Sequence, residues 1–148
     1  MLILSIDPGP QQSAVLEWDG RTIRHHRIAP NETILCEDLQ TSQADVLAVE
    51  QIKSYGMAVA DSIFDTVFWS GRFVQACKLP LWVRVPRKDI KMHLCGSMRA
   101  KDSNIRQALI DRFGAPGTKK APGICYGIKK DEWAAWALAV TWWDLKNG

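Results

Sequence analysis

Leu2-Ile3-Leu4-Ser5-Ile6-Asp7-Pro8-Gly9-Pro10 is the stretch from which the rest of this 148-residue chain is best read. The nearly continuous apolar run over 2–6 predicts a strand buried on both faces, of the kind found mid-sheet. It then releases a carboxylate, Asp7, into a stiff turn of Pro and Gly. Asp, Pro and Gly recur in turns for local backbone reasons, so on their own these residues read first as an ordinary turn. A functional reading needs partners from elsewhere in the chain.

Val46-Leu47-Ala48-Val49 repeats the pattern and ends on a second carboxylate, Glu50. Between the two runs, residues 13–18 read as a strand, Asp19-Gly20 as a hairpin turn, and 22–28 as an alternating third strand. With the first strand these predict an antiparallel meander. Residues 30–44 are polar apart from Ile34-Leu35 and predict a loop with at most a short helix. A connection of that length, loop or helix, favours parallel pairing of 46–49 with the first strand. Parallel neighbours that each end in an acid bring Asp7 and Glu50 side by side at the carboxyl edge of the sheet. Open α/β folds place their sites at that edge.

Downstream, 52–56 is a loop carrying Lys53 and Tyr55. Apolar residues at 59, 63, 67 and 74, with small residues at 70/71 and a second apolar stripe at 60, 64 and 68, predict a helix over 57–76. Residues 81–85 form a short strand between Pro80 and Pro86. A basic helical segment over 87–94 breaks at Gly96-Ser97, and an amphipathic helix over 101–113 stops at Gly114. The longest irregular stretch, 114–130, holds four Gly, two Pro and four Lys; loops of that length are commonly functional or mobile. Asp131 opens a last helix over 132–145, rich in Ala and Trp. The Trp pairs 133/136 and 142/143 fit core or subunit-interface packing. The expected organisation is one domain over 1–148.

Hydrophobic residues make up 47% and charged residues 24%, a globular balance that excludes disordered and membrane classes. No apolar run approaches the roughly 20 residues of a spanning helix, and the N-terminus does not read as a secretory signal. Cys36, Cys77, Cys95 and Cys125 are irregularly spaced without Cys-x-x-Cys, which suits a reduced, cytoplasmic protein. His25, His26 and His93 have no zinc-ligand spacing. Net charge is +3, yet residues 84–130 hold twelve Lys and Arg against three acids, a net +9 that leaves −6 on the rest. A basic segment on an otherwise acidic chain fits a polyanion-binding face, and a solvated surface explains it too.

Three acids thus stand at element ends: Asp7, Glu50 and Asp131. An N-cap accounts for Asp131 without chemistry. Adjacent carboxylates at 7 and 50 repel unless a cation lies between them. A pair of hard cations such as Mg²⁺ or Mn²⁺ removes that repulsion. Two such ions roughly 3.5–4 Å apart activate a water and stabilise the leaving oxygen in phosphodiester hydrolysis.

In this order the motifs resemble the RNase H-like superfamily, and within it the RuvC-type Holliday-junction resolvases of phages and prophages. The pieces that carry the resemblance are Ile6-Asp7-Pro8-Gly9 and Ala48-Val49-Glu50-Gln51, then Gly71-Arg72 in the 57–76 helix. They continue with Val85-Pro86-Arg87-Lys88-Asp89-Ile90-Lys91, Ala100-Lys101-Asp102, and Asp131-Glu132-Trp133-Ala134-Ala135-Trp136-Ala137-Leu138-Ala139. The resemblance implies a mixed five-stranded sheet, an antiparallel meander plus parallel strands, flanked by helices. It implies Asp7, Glu50 and Asp131 as catalytic metal ligands for two Mg²⁺ ions, with Mn²⁺ able to substitute. The family's last helix carries a further acid three residues after the first; here that position is Ala134, and Glu132 is the nearest substitute. The resemblance also implies a homodimer that nicks branched, four-way DNA in pairs, in the cytoplasm of a bacterial or phage-infected cell. The helix over 57–76 is the expected interface. DNA contacts are expected from Lys53, Tyr55 as an aromatic wedge, Arg87, Lys88, Lys91, Arg99, Lys101, Lys119, Lys120, Lys129 and Lys130. The alternatives are an RNase H-like nuclease acting on forks or RNA–DNA hybrids, and a non-catalytic branched-DNA-binding module.

Overall fold

The computed structural model describes residues 1–148. Five strands form one sheet in the order β3-β2-β1-β4-β5, so the opening strand is central. β1 (Ile3–Asp7), β2 (Gln12–Trp18) and β3 (Ile23–Pro30) make the antiparallel meander. β4 (Val46–Gln51) pairs parallel with β1, and β5 (Leu81–Pro86) pairs parallel with β4. This is the mixed α/β sheet the sequence predicts.

Helices cover both faces. On one lie α4 (Arg87–Cys95), α5 (Asp102–Phe113) and α6 (Glu132–Asn147); on the other lie residues 31–41 and α3 (Asp61–Ala76). The alternation of β1 divides its side chains accordingly: Ile3 packs towards α6, Leu4 and Ile6 towards Ile34, Leu39 and Phe73. α6 is apolar nearly all round because it lies across the sheet, with Trp136, Ala137, Leu138 and Ala139 all buried. The Ser5 hydroxyl, fully buried, donates to the carbonyl of Ala135 at 2.7 Å and ties α6 to the central strand. Trp136 stacks with Trp18 at 5.7 Å and Phe113 at 5.2 Å between ring centroids, and these tryptophans are core.

Residues 30–44 differ from expectation. They are mainly helical, with α1 (Asn31–Thr33), a π-helical turn (Ile34–Asp38) and α2 (Leu39–Thr41) running on from one another. The π turn spoils the 3.6-residue spacing, so Ile34 and Leu39 leave no periodic signature although both are buried. Asp38 is secured by Arg27 and by His25 at 3.0 Å, which anchors this polar segment to β3. α3 begins at Asp61 rather than 57.

Candidate active site

Strand register alone unites the first two acids. Ile3 pairs with Val46 and Ser5 with Ala48, so the parallel ladder carried onward sets Asp7 beside Glu50. Both belong to the alternate positions that face α6. Their carboxyls lie within hydrogen-bond reach of one another, and Glu50 is buried. Burial, then the charge of Glu50 and the hydrogen bond with it, and then the charge of Asp131 hold the Asp7 carboxyl well above the usual carboxylate range; Arg87 opposes them.

The turn behind Asp7 is locked by a small polar network. Gly9 N–H donates to Ser13 Oγ at 3.0 Å, and Ser13 Oγ donates to Asn31 Oδ1 at 2.6 Å. Asn31 Nδ2 donates back to the Gly9 carbonyl at 2.9 Å, closing the circuit. Asn31 and Ser13 are both buried. Neither was singled out from sequence, where an Asn after a Pro and a Ser in a strand carry no distinctive signal.

Asp131 stands at the head of α6 but forms no side-chain cap there. Asp131 lines a pocket of about 70 Å³ with Asp7, Arg87, Asp102, Lys130, Trp133 and Ala134. The capping explanation for Asp131 therefore does not hold. Glu132 instead ties the preceding loop and β3 to the helix start: its Oε1 accepts the Lys129 N–H at 3.0 Å and pairs with His26 Nδ1 at 3.1 Å. Glu132 is buried on this other side of the helix and lines a different pocket from Asp7, beside His26. A step of about 100° along the helix is enough to separate the two neighbours.

The basic residues fall into groups. Arg87 and Lys130 reach the acid pocket itself. Arg87, at the first residue of α4, donates from Nη1 to Glu50 Oε1 at 3.3 Å and from Nη2 to Asp102. It is thus the counter-ion of the acid cluster as well as a candidate phosphate ligand. Lys88 lies 3.9 Å from the centre of the Tyr55 ring, which is 47% exposed in the loop after β4. Tyr55 is no core residue. Lys53, Arg99, Lys101, Lys119, Lys120 and Lys129 are exposed, and Lys91 is half-buried. Tyr55 and Lys130 are the two non-glycine residues with positive φ, at 51° and 49°. Strained backbone of this kind concentrates at working sites.

Asp7 adjoins Glu50 and lines a pocket with Asp131, and hard oxygen donors of this kind are the type that a divalent cation such as Mg²⁺ prefers. The mutual repulsion that burdens Asp7 is what such an ion relieves. No three of the chain's acidic, His or Cys side chains are already drawn around a single point as a finished metal centre. Arg87 neutralises the acids in this arrangement.

No protein-family model matches the chain, and no curated protein matches its sequence. Solved structures do. Thermus thermophilus RuvC aligns over 95% of this chain and 92% of its own, with a TM-score of 0.67 and 18% identity. The fold is that of RuvC. T. thermophilus RuvC in complex with a Holliday junction substrate aligns over the same shares with a TM-score of 0.66 and 18% identity. The yeast mitochondrial Holliday junction resolvase Ydc2 aligns over 95% of this chain and 78% of its own, with a TM-score of 0.62 and 8% identity. At these identities the likeness is one of architecture: an RNase H-like fold, as in RuvC. No helix is long and apolar enough to cross a membrane.

Proposed function

We propose that this RuvC-fold chain is a metal-dependent endonuclease that resolves four-way DNA junctions by paired phosphodiester hydrolysis, acting as a homodimer. The observation that carries the reading is the union of Asp7, Glu50 and Asp131 on one side of the sheet's carboxyl edge, bordered by Arg87 and Lys130. The structures that share the fold include RuvC with a Holliday junction substrate.

In this reading Asp7, Glu50 and Asp131 hold Mg²⁺, with Mn²⁺ able to substitute, two ions to a site. When bound, such ions supply an activated water and charge stabilisation at the leaving oxygen. The chain's own residues do the rest. The Gly9–Ser13–Asn31 circuit fixes the turn after Asp7, and the buried strands hold the first two acids rigidly. Lys130 and Arg87, which both line the pocket, are the groups to bind a scissile phosphate in this reading. Lys53, Lys88, Lys91, Arg99, Lys101, Lys119, Lys120 and Lys129 contribute backbone-phosphate affinity that falls with salt. Tyr55, exposed beside the acids' loop, is suited to stack on or wedge between bases.

Pairing of nicks needs two sites facing opposite strands, which a two-fold dimer provides. α3 offers the surface: Phe64, Val67 and Phe68 are exposed in a row, with Arg72 over the Trp69 ring at 4.3 Å. The compartment in this reading is the cytoplasm of a bacterial or phage-infected cell, and residues 1–148 act as a single nuclease domain.

The deciding experiment is cleavage of a synthetic four-way junction with and without Mg²⁺, by the wild type and Asp7→Asn. Symmetrical nicks that need both the metal and Asp7 are expected. Junction binding without any cleavage would instead favour the non-catalytic module, for which Ala134 in place of an acid is the argument. Cleavage of forks or RNA–DNA hybrids but not of junctions would favour a related nuclease.

A further inference from the structure

We infer that residues 114–128 form a pre-built finger that grips the backbone of a duplex DNA arm with Lys119 and Lys120 at its tip. This rests on the DNA-cleaving reading above and names the part of the substrate that the segment takes. A stretch so rich in Gly, Pro and Lys suggests a loose loop, yet it folds as a bonded hairpin with Gly117 bridged to Pro122. Thr118 N–H donates to the Ala121 carbonyl and Ala121 N–H to that of Thr118, both at 3.1 Å. Gly123 N–H closes the base on the Pro116 carbonyl at 2.8 Å. The shape dictates two glycines. Gly117 has a φ of 73°, and a Cβ there would collide with the Ala121 carbonyl oxygen. A Cβ at Gly123 would collide with that of Ala115. Below the hairpin, Cys125 and Ile128 are buried in the core on the α6 side of the sheet and anchor the root.

At the tip, local preference is overruled. Two-residue hairpin turns favour Gly, Asn and Asp, whereas this one sets two lysines side by side. Lys119 and Lys120 are both exposed, and neither takes part in an ion pair. Adjacent unpaired cations repel, and a polyanion removes that repulsion. The root runs straight into the site: Gly127 and Lys129 line a cavity of about 340 Å³ beside His26, and Lys130 lines both that cavity and the acid pocket. The tip stands at most about 10 Å from the hairpin base, so the finger reaches DNA flanking the cut. Lysine is a point charge without the fork that reads a base edge, which suits backbone phosphates. A hairpin already fixed loses little further freedom on binding them.

The test is binding of a synthetic four-way junction and of a linear duplex by the full chain in EDTA, read by fluorescence anisotropy over a salt series. Lys119→Gln combined with Lys120→Gln should weaken both DNAs by the same factor. It should also lower the slope of log affinity against log salt by about two, roughly 0.9 for each lost phosphate contact. Gly123→Ala keeps both charges and should still weaken both DNAs about fivefold or more, because the lysines are no longer held in place. Thermal melting shows which variants are folded, and Gly117→Ala serves as the second shape variant. An unchanged slope in the double lysine variant overturns the inference, as does a loss confined to the junction. Wild-type affinity in a folded glycine variant overturns it too, since a loose basic loop would then suffice. If the wild type binds the junction and these variants bind it equally well, only this inference falls. If the wild type binds neither DNA, the reading above falls with it.

Discussion

Asp7 and Glu50 end adjacent parallel strands with their carboxyls within hydrogen-bond reach. Two like charges placed so cost the protein stability unless one is protonated or a cation lies between them. Asp7→Asn is expected to abolish cleavage while junction binding survives. Because the folded protein raises the Asp7 pKa, the stability it contributes is present below the ordinary value of 3.8 and is lost as pH rises through the raised value. Asn cannot ionise, so metal-free Asp7→Asn should melt higher than wild type at neutral pH. Adding Mg²⁺ should narrow that gap, because it stabilises only a protein that binds it. Calorimetric melts with and without Mg²⁺ check both signs.

Glu132 is held by the Lys129 N–H and His26, so its role is to secure the start of α6. Glu132→Gln keeps an acceptor and should leave cleavage largely intact. Glu132→Ala strands a backbone donor and should cost about 1–3 kcal/mol in urea denaturation. A collapse of activity in Glu132→Gln matching that of Asp7→Asn would restore it as a ligand.

Asn31 closes the hydrogen-bonded circuit behind Asp7. Asn31→Ala leaves the Gly9 carbonyl without this partner and should cost about 1–3 kcal/mol. Cleavage should slow as well, measured below the melting range, since the turn that aims Asp7 loses its brace.

Tyr55 is exposed and partnered only by Lys88 at the rim. Tyr55→Ala should therefore leave the melting temperature nearly unchanged. It should slow cleavage of intact junctions more than that of nicked flaps. Equal slowing on the two substrates would count against a wedge.

Asp144 is held below the usual carboxylate range by Arg112, against the effect of burial and with help from His93. Asp38 is held low as well, burial being outweighed by Arg27 and His25. A lowered folded pKa gives stability that is present above the ordinary 3.8 and is lost as pH falls through the folded value. Asp144→Asn should thus destabilise by about 1 kcal/mol at neutral pH, since Arg112 is half-exposed and the pair is screened. The difference should vanish in strong acid, as melts over a pH series would show.

Legibility in the sequence followed the strength of local pattern. β1 and β4 were readable because strands buried on both faces show as continuous apolar runs, and each visibly ends on an acid. The helix at 31–41 was not, since its π turn broke the spacing and its polar residues were satisfied by β3. Asp131 could be placed at a helix start, yet nothing local distinguished a capping side chain from one aimed into a pocket.

The amino-acid sequence by itself determined the layered α/β architecture and the adjacency of Asp7 and Glu50, because apolar periodicity and the parity of parallel strands are local properties. Only the tertiary structure decided which acid of the Asp131–Glu132 pair faces the pocket, and that Arg87 joins Glu50 to Asp102. Those relations depend on the rotation of α6 about its axis and on where α4 and α5 meet the sheet. Packing across the whole core sets these angles, and no short stretch of sequence encodes them.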